Sequence, residues 1–140
     1  MGWRRSSLVE KIFAGLFLVM AAVLIFRMAE QKQRQDRLEY FVGQGDSMLP
    51  TIREGAELTV DPEARVSEND IIVFTCRKCK QKNDDIDILT KRLIAKNEKG
   101  CLWVEGDNKA NSYDSRDFGW LCPEEIELHG VVIKRDQEED

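Results

Sequence analysis

DIIVFTC, Asp70 to Cys76, reads as a β-strand: it is short, dense in isoleucine, valine and phenylalanine, and followed by the charged turn Arg77-Lys78. Five more stretches share that character, LEYFV (38–42), AELTV (56–60), IDILTKRLIA (86–95), CLWVEG (101–106) and LHGVVIKR (128–135). Between them lie turns of glycine, proline, asparagine, aspartate or charged residues. Strands this short and closely spaced predict a mostly β fold, a compact antiparallel barrel or sandwich, rather than a parallel α/β sheet. With 140 residues the chain has room for one such domain.

Composition changes sharply near the N-terminus. IFAGLFLVMAAVLIF, Ile12 to Phe26, is fifteen residues without a charge. As a helix it spans about 22 Å, short of a ~30 Å hydrocarbon core. It reaches across if extended to Leu8 and Met28, with Glu10, Lys11 and Arg27 snorkelling. Three readings compete: a transmembrane anchor, a cleavable signal peptide and a buried core helix. At the far end LIFRMAEQ has no A-x-A pattern and sets Arg27 where a small side chain is wanted for cleavage. A core helix would carry a polar face, and this run has none. The preferred reading is an uncleaved anchor: residues 1–7 form its flank, 8–28 the transmembrane helix and 29–38 a polar helical stalk. The folded domain then occupies 39–135, and 136–140 is a solvated acidic tail. Arg4, Arg5 and Lys11 precede the run and Arg27, Lys32, Arg34 and Arg37 follow it, so charge leaves the orientation open.

The chain has 26 acidic and 21 basic residues, a net charge of −5. No lysine or arginine cluster interleaves with aromatics, which argues against a nucleic-acid surface. GQGDSMLPTI, Gly43 to Ile52, holds Ser47 in a glycine-rich turn, where a serine is either a turn former or a nucleophile. The chain's single histidine, His129, lies in a strand-like stretch and reads as a half-buried surface residue rather than a base. Lys91 lies within DILTKRLIA, whose apolar residues either draw its amine into a dry environment or let it snorkel out. An ordinary lysine is neutral in roughly one molecule in 2,500 at pH 7, so it serves as a base only where burial lowers its pKa by several units.

Three segments together resemble a known family. Gly45-Asp46-Ser47-Met48-Leu49-Pro50-Thr51-Ile52 is similar to the nucleophile box of type I signal peptidases, the membrane-bound Ser-Lys endopeptidases that remove signal peptides from exported proteins. Thr90-Lys91-Arg92-Leu93-Ile94 resembles their base box. Gly106-Asp107-Asn108 with Ser112, Asp114, Ser115, Arg116, Phe118 and Gly119 resembles their third box, and Asp70 to Phe74 the strand between. The boxes occur in family order and cover Phe41 to about Arg135.

The resemblance implies that Ser47 attacks the scissile carbonyl and that Lys91, neutral and buried, takes its proton. Ser112 would orient the lysine, while Asp114 and Arg116 tie the third box together. The oxyanion would be held by the Ser47 N–H; some members add a hydroxyl two residues earlier, where this chain has Gly45. Implied partners are precursor proteins with signal peptides, cut after small residues, and a lipid bilayer. Phe41, Gly43, Met48, Leu89 and Thr90 are candidate walls of the substrate cleft, and neither metal nor cofactor is expected. The implied location is a bacterial plasma membrane, crossed once, with the catalytic domain on the export side; a mitochondrial inner membrane is the alternative. Endoplasmic-reticulum relatives use histidine as base, so Lys91 argues against that branch. Only fifteen residues run from Arg92 to Gly106, which marks a near-minimal core without the inserted domain of some bacterial members. Two rival readings are a non-catalytic, membrane-tethered binding module on the same fold and a self-cleaving Ser-Lys protein. Cys76-x-x-Cys79, Cys101 and Cys122 lie outside the family pattern, as zinc thiolates, disulfides or free thiols.

Overall fold

The structure, a computed structural model, describes residues 7–79 and 87–136. The charged run 80–85, the residues beyond 136 and Arg4 and Arg5 lie outside the described residues. Two units divide the chain, residues 1–37 and 38–140. The first is built on one helix, α1 (Leu8–Gln35). Ser7 starts it with a capping box: its hydroxyl accepts from the Glu10 N–H at 3.2 Å, and the Glu10 carboxylate accepts from the Ser7 N–H at 2.9 Å. No residue of α1 is buried, and its most apolar 18-residue window has a mean hydropathy of 2.4. The helix is therefore long and apolar enough to cross a membrane.

The second unit is a six-stranded antiparallel sheet in the order β1-β2-β6-β3-β4-β5. Its strands are β1 (Glu39–Val42), β2 (Glu57–Asp61), β3 (Ile71–Cys76), β4 (Asp87–Lys96), β5 (Leu102–Glu105) and β6 (Ile126–Asp136). All six segments expected from the sequence form strands, and the mostly β, antiparallel reading holds. The choice between barrel and sandwich takes the form of one sheet with an apolar cluster on each face.

Strand β3 shows how the sequence produces this. Ile72, Phe74 and Cys76 join one cluster with Leu93, Val104 and Leu121, while Ile71 joins another with Met48, Ile52, Ala56 and Leu58. The alternation is the period of two of a strand, and burial on both faces explains the nearly continuous apolar run. Strand β4 lies beside it, with Lys91 opposite Ile72, whose side chain is fully buried. That neighbour is what brings a lysine into the dry part of the sheet.

All four cysteines are paired, Cys76 with Cys79 and Cys101 with Cys122, so of the three alternatives the disulfides are the observed one. The second bond ties the entrance of β5 to the segment before the final strand. Beside it Leu102 and Leu121 exchange backbone hydrogen bonds of 2.8 and 2.9 Å. In the chain-entropy account, closing a loop of this size stabilises the fold by about 3 kcal/mol.

Candidate active site

Ser47 is carried on the loop between β1 and β2, whose apolar residues fix it. Met48 and Ile52 are buried in the second cluster, and the Ile52 N–H donates to the Met48 carbonyl at 2.9 Å. Gly45 precedes the serine with φ of +71°, a left-handed conformation that glycine adopts without strain. The serine itself stays half-buried, at the edge of the loop's apolar anchor.

Lys91 comes from the middle of β4 and is only 3% exposed. Burial pushes its amine below the ordinary lysine range; the Asp114 charge opposes that shift and the Arg116 charge adds to it. Its Nζ donates to Ser112 Oγ at 3.3 Å. Among the described residues no hydrogen bond joins Nζ to Ser47 Oγ, and in unliganded sites catalytic hydrogen bonds are often long until substrate binds.

Behind Ser112 stands Asp114, fully buried. Its carboxylate accepts from the Ser112 hydroxyl at 2.7 Å, the Gly106 N–H at 2.9 Å and the Arg116 guanidinium at 2.9 Å through both Nε and NH2. It also accepts from the Arg116 N–H at 3.1 Å, capping the short helix α2 (Ser115–Phe118). Burial alone would raise this carboxyl, but the Arg116 guanidinium, the Gly106 N–H and the Ser112 hydroxyl together hold it well below the usual carboxylate range. Next in sequence, Ser115 Oγ accepts from the Val104 N–H at 2.9 Å and fastens α2 to β5.

Asp107 is the residue whose role sequence reasoning missed. Arg92, next to the lysine, grips it with Nε at 2.7 Å and NH2 at 2.6 Å, and Thr51 of the serine loop donates to it as well. Adjacent Asn108 donates its N–H to the Ser47 carbonyl at 2.9 Å and its side-chain amide to the Asp46 carbonyl at 3.0 Å. One short turn thereby fixes the serine loop and the lysine strand relative to each other. The available signal was an Arg and an Asp, each flanking a candidate segment, whose pairing no spacing rule gives.

Gly106 makes that junction possible. A Cβ there would lie 2.2 Å from Ser112 Oγ and 2.5 Å from the Ser47 carbonyl oxygen. Gly106→Ala is accordingly expected to destabilise the fold by about 1–3 kcal/mol through overpacking and to displace Ser112 from Lys91. Thermal unfolding of the variant checks the first effect, and its activity relative to wild type the second.

Two clefts meet at Ser47 and Lys91. The first, about 550 Å³, runs between β1 and β4, and the five candidate wall residues Phe41, Gly43, Met48, Leu89 and Thr90 all line it. The second, about 530 Å³, extends the other way past Ser112. Asp114 and Arg116 line neither, standing behind Ser112. His129 lines neither as well; its Nε2 lies 2.7 Å from Thr75 Oγ1. The described residues hold no cluster of His, Cys, Asp and Glu placed to bind a metal ion.

A half-buried serine beside a dry lysine, at the meeting point of two clefts, is the arrangement of a serine-peptidase-type hydrolase. A family model described as Peptidase S24-like matches residues 20–133, and the chain belongs to that family. No curated protein matches the chain.

Proposed function

We propose that the chain is a membrane-anchored Ser-Lys endopeptidase of the signal-peptidase type, removing N-terminal signal peptides from exported precursors after small residues. One observation carries it: the buried Lys91 amine, held by Ser112, lines the same clefts as Ser47. The Ser112 hydroxyl has one proton, given to Asp114, so towards Lys91 it is an acceptor. A neutral amine giving one N–H to Ser112 keeps its lone pair for the Ser47 proton. Ser47 Oγ then attacks the scissile carbonyl, and Lys91, now an ammonium, protonates the leaving amine. Deprotonated again, Lys91 activates the water that hydrolyses the acyl-enzyme. The Ser47 N–H, which has no acceptor among the described residues, is the proposed oxyanion donor. Asp114 fixes Ser112, and Arg116 offsets the carboxylate charge that would otherwise keep Lys91 protonated.

Support for an anchored, exported enzyme is independent of the site. Helix α1 carries no buried residue, and two disulfides suit an oxidising compartment. We place the domain on the export side of a bacterial plasma membrane, with the mitochondrial inner membrane as the alternative. An extended precursor would lie in the first cleft between β1 and β4, adding as a strand.

The test is incubation of the full chain, in detergent, with a precursor carrying A-x-A before its mature sequence. A single cut after the second alanine, absent with Ser47→Ala, is the expected result. The family match also favours self-cleavage, as a second reading. An intact precursor together with a shortened mass of the protein itself would overturn the first reading in favour of the second.

A further inference from the structure

In β6 the register against β3 skips one residue: Val73 pairs with Gly130 and Phe74 with Leu128. The residue left over is His129. A bulge leaves its extra residue outside the ladder and re-aims the side chain. Here the imidazole meets three groups from two other strands. Thr75 Oγ1 of β3 lies 2.7 Å from Nε2, the Glu39 carboxylate of β1 lies 3.8 Å from Nδ1, and the Phe41 ring, also of β1, has its centroid 5.4 Å away at a tilt of 53°.

Phe41 is a wall of the first cleft, and the residue on either side of it, Tyr40 and Val42, lines the cleft too. Strand β1 ends the sheet and, among the described strands, pairs with β2 and not with β4, so side-chain packing contributes to its position relative to β4 across the opening. His129 supplies that packing from outside the cleft. Thr75 Oγ1 is within hydrogen-bond reach of Nε2, whereas the Glu39 carboxylate stands beyond hydrogen-bond reach of Nδ1. Hydroxyl, imidazole and carboxylate stand in the order of a catalytic triad, but the carboxylate is too far for a hydrogen bond and Thr75 and His129 line neither cleft, so the arrangement fixes a ring rather than performing chemistry.

We propose that His129 is a positioning residue for substrate: by bracing Phe41 from the bulge of β6, it sets the width of the first cleft where the substrate chain passes before the scissile bond. The proposal rests on the peptidase reading and refines it. Along β4 Ile88 lies three positions before Lys91, both of which line the cleft, a run of about 10 Å that an extended substrate covers with three residues. On this proposal a substrate too short to run along that stretch makes less contact with the braced wall than one that fills it.

The experiment measures binding of fluorescent peptides to the full chain carrying Ser47→Ala, so that it does not depend on turnover. One peptide has six residues before an A-x-A-type cut site, the last three being that motif; the other has only two residues before it. His129→Ala is expected to weaken binding of the long peptide about five- to tenfold and of the short one less than twofold. Thr75→Val, which keeps the shape and removes the hydroxyl, should show a smaller effect with the same length dependence. In the Ser47-containing enzyme the same change should raise KM on long substrates with kcat within about twofold of wild type. Equal weakening of both peptides, or none with the long one, would overturn the brace. Normal length-dependent binding without any cleavage by wild type would sustain the brace and overturn the peptidase reading instead.

Discussion

Lys91→Arg is expected to lower kcat/KM by on the order of 10²–10⁴-fold across the neutral and alkaline range, the size of a lost general base. Arginine keeps the positive charge and much of the length, but its guanidinium does not deprotonate in proteins. If the lysine merely filled space or held a charge, arginine would substitute for it in part. Lys91→Met, which keeps the volume and has no amine, should be equally inactive. Steady-state hydrolysis of the A-x-A precursor measures both, and an arginine variant retaining a tenth of wild-type activity would exclude Lys91 as the base.

The same amine ties activity to pH and to stability. Only its neutral form accepts the serine proton, so kcat/KM rises with pH through the lowered lysine value and then levels off. In the unfolded chain Lys91 holds its proton up to its ordinary value near 10.5, whereas in the fold it releases it at lower pH. Between the two values the unfolded state binds more protons, so stability rises with pH over that interval. At neutral pH the buried amine therefore costs stability. Lys91→Met should melt above wild type near pH 7, with the gap closing as pH approaches the ordinary lysine value. A dead but more stable variant is the mark of a residue kept for chemistry.

Six strands were legible because each combines β-branched or aromatic density with a clear stop, and burial on both faces of β3 leaves the strongest such signal. The candidate Ser47 and Lys91 were legible as segments, but burial of the amine was not, since it depends on which residue β3 sets opposite. Spacing alone favours snorkelling of Lys91 over burial; pairing with the buried Ile72 reverses that. Asp107 escaped because its partners Thr51 and Arg92 come from two other segments, 56 and 15 residues away. His129 was read as a half-buried surface residue, and its exposure agrees, at 21% of the side chain. Its packing on Phe41 arises from a register shift that no local pattern announces. Four cysteines permit three pairings, so the observed one was likewise a property of the fold.

Asp114→Asn has the largest expected effect on the support of the site. The amide keeps the volume but turns one acceptor oxygen into a donor. It must then face either the Gly106 N–H and the Ser112 hydroxyl or the Arg116 N–H and Nε, all of which are donors. The exposed guanidinium can turn to water, but the Gly106 N–H and the Ser112 hydroxyl sit against the buried carboxylate. Leaving such donors unmatched costs about 2–4 kcal/mol, a fall in Tm of roughly 10–25 °C for a domain of this size. Because the folded state holds this carboxyl well below its ordinary value of 3.8, the unfolded chain takes up the proton first as pH falls. Wild type should accordingly lose stability on acidification below about that value, and Asp114→Asn should lose less. Activity supplies a readout that loosening alone would not give. The Asp114 charge favours protonated Lys91 and the Arg116 charge opposes it. Asp114→Asn should therefore move the rising limb of the pH–rate profile to lower pH even as its plateau falls, and Arg116→Gln should move it to higher pH. Limbs that coincide with wild type in both variants would show that the pair supports the fold of the third segment without tuning the base.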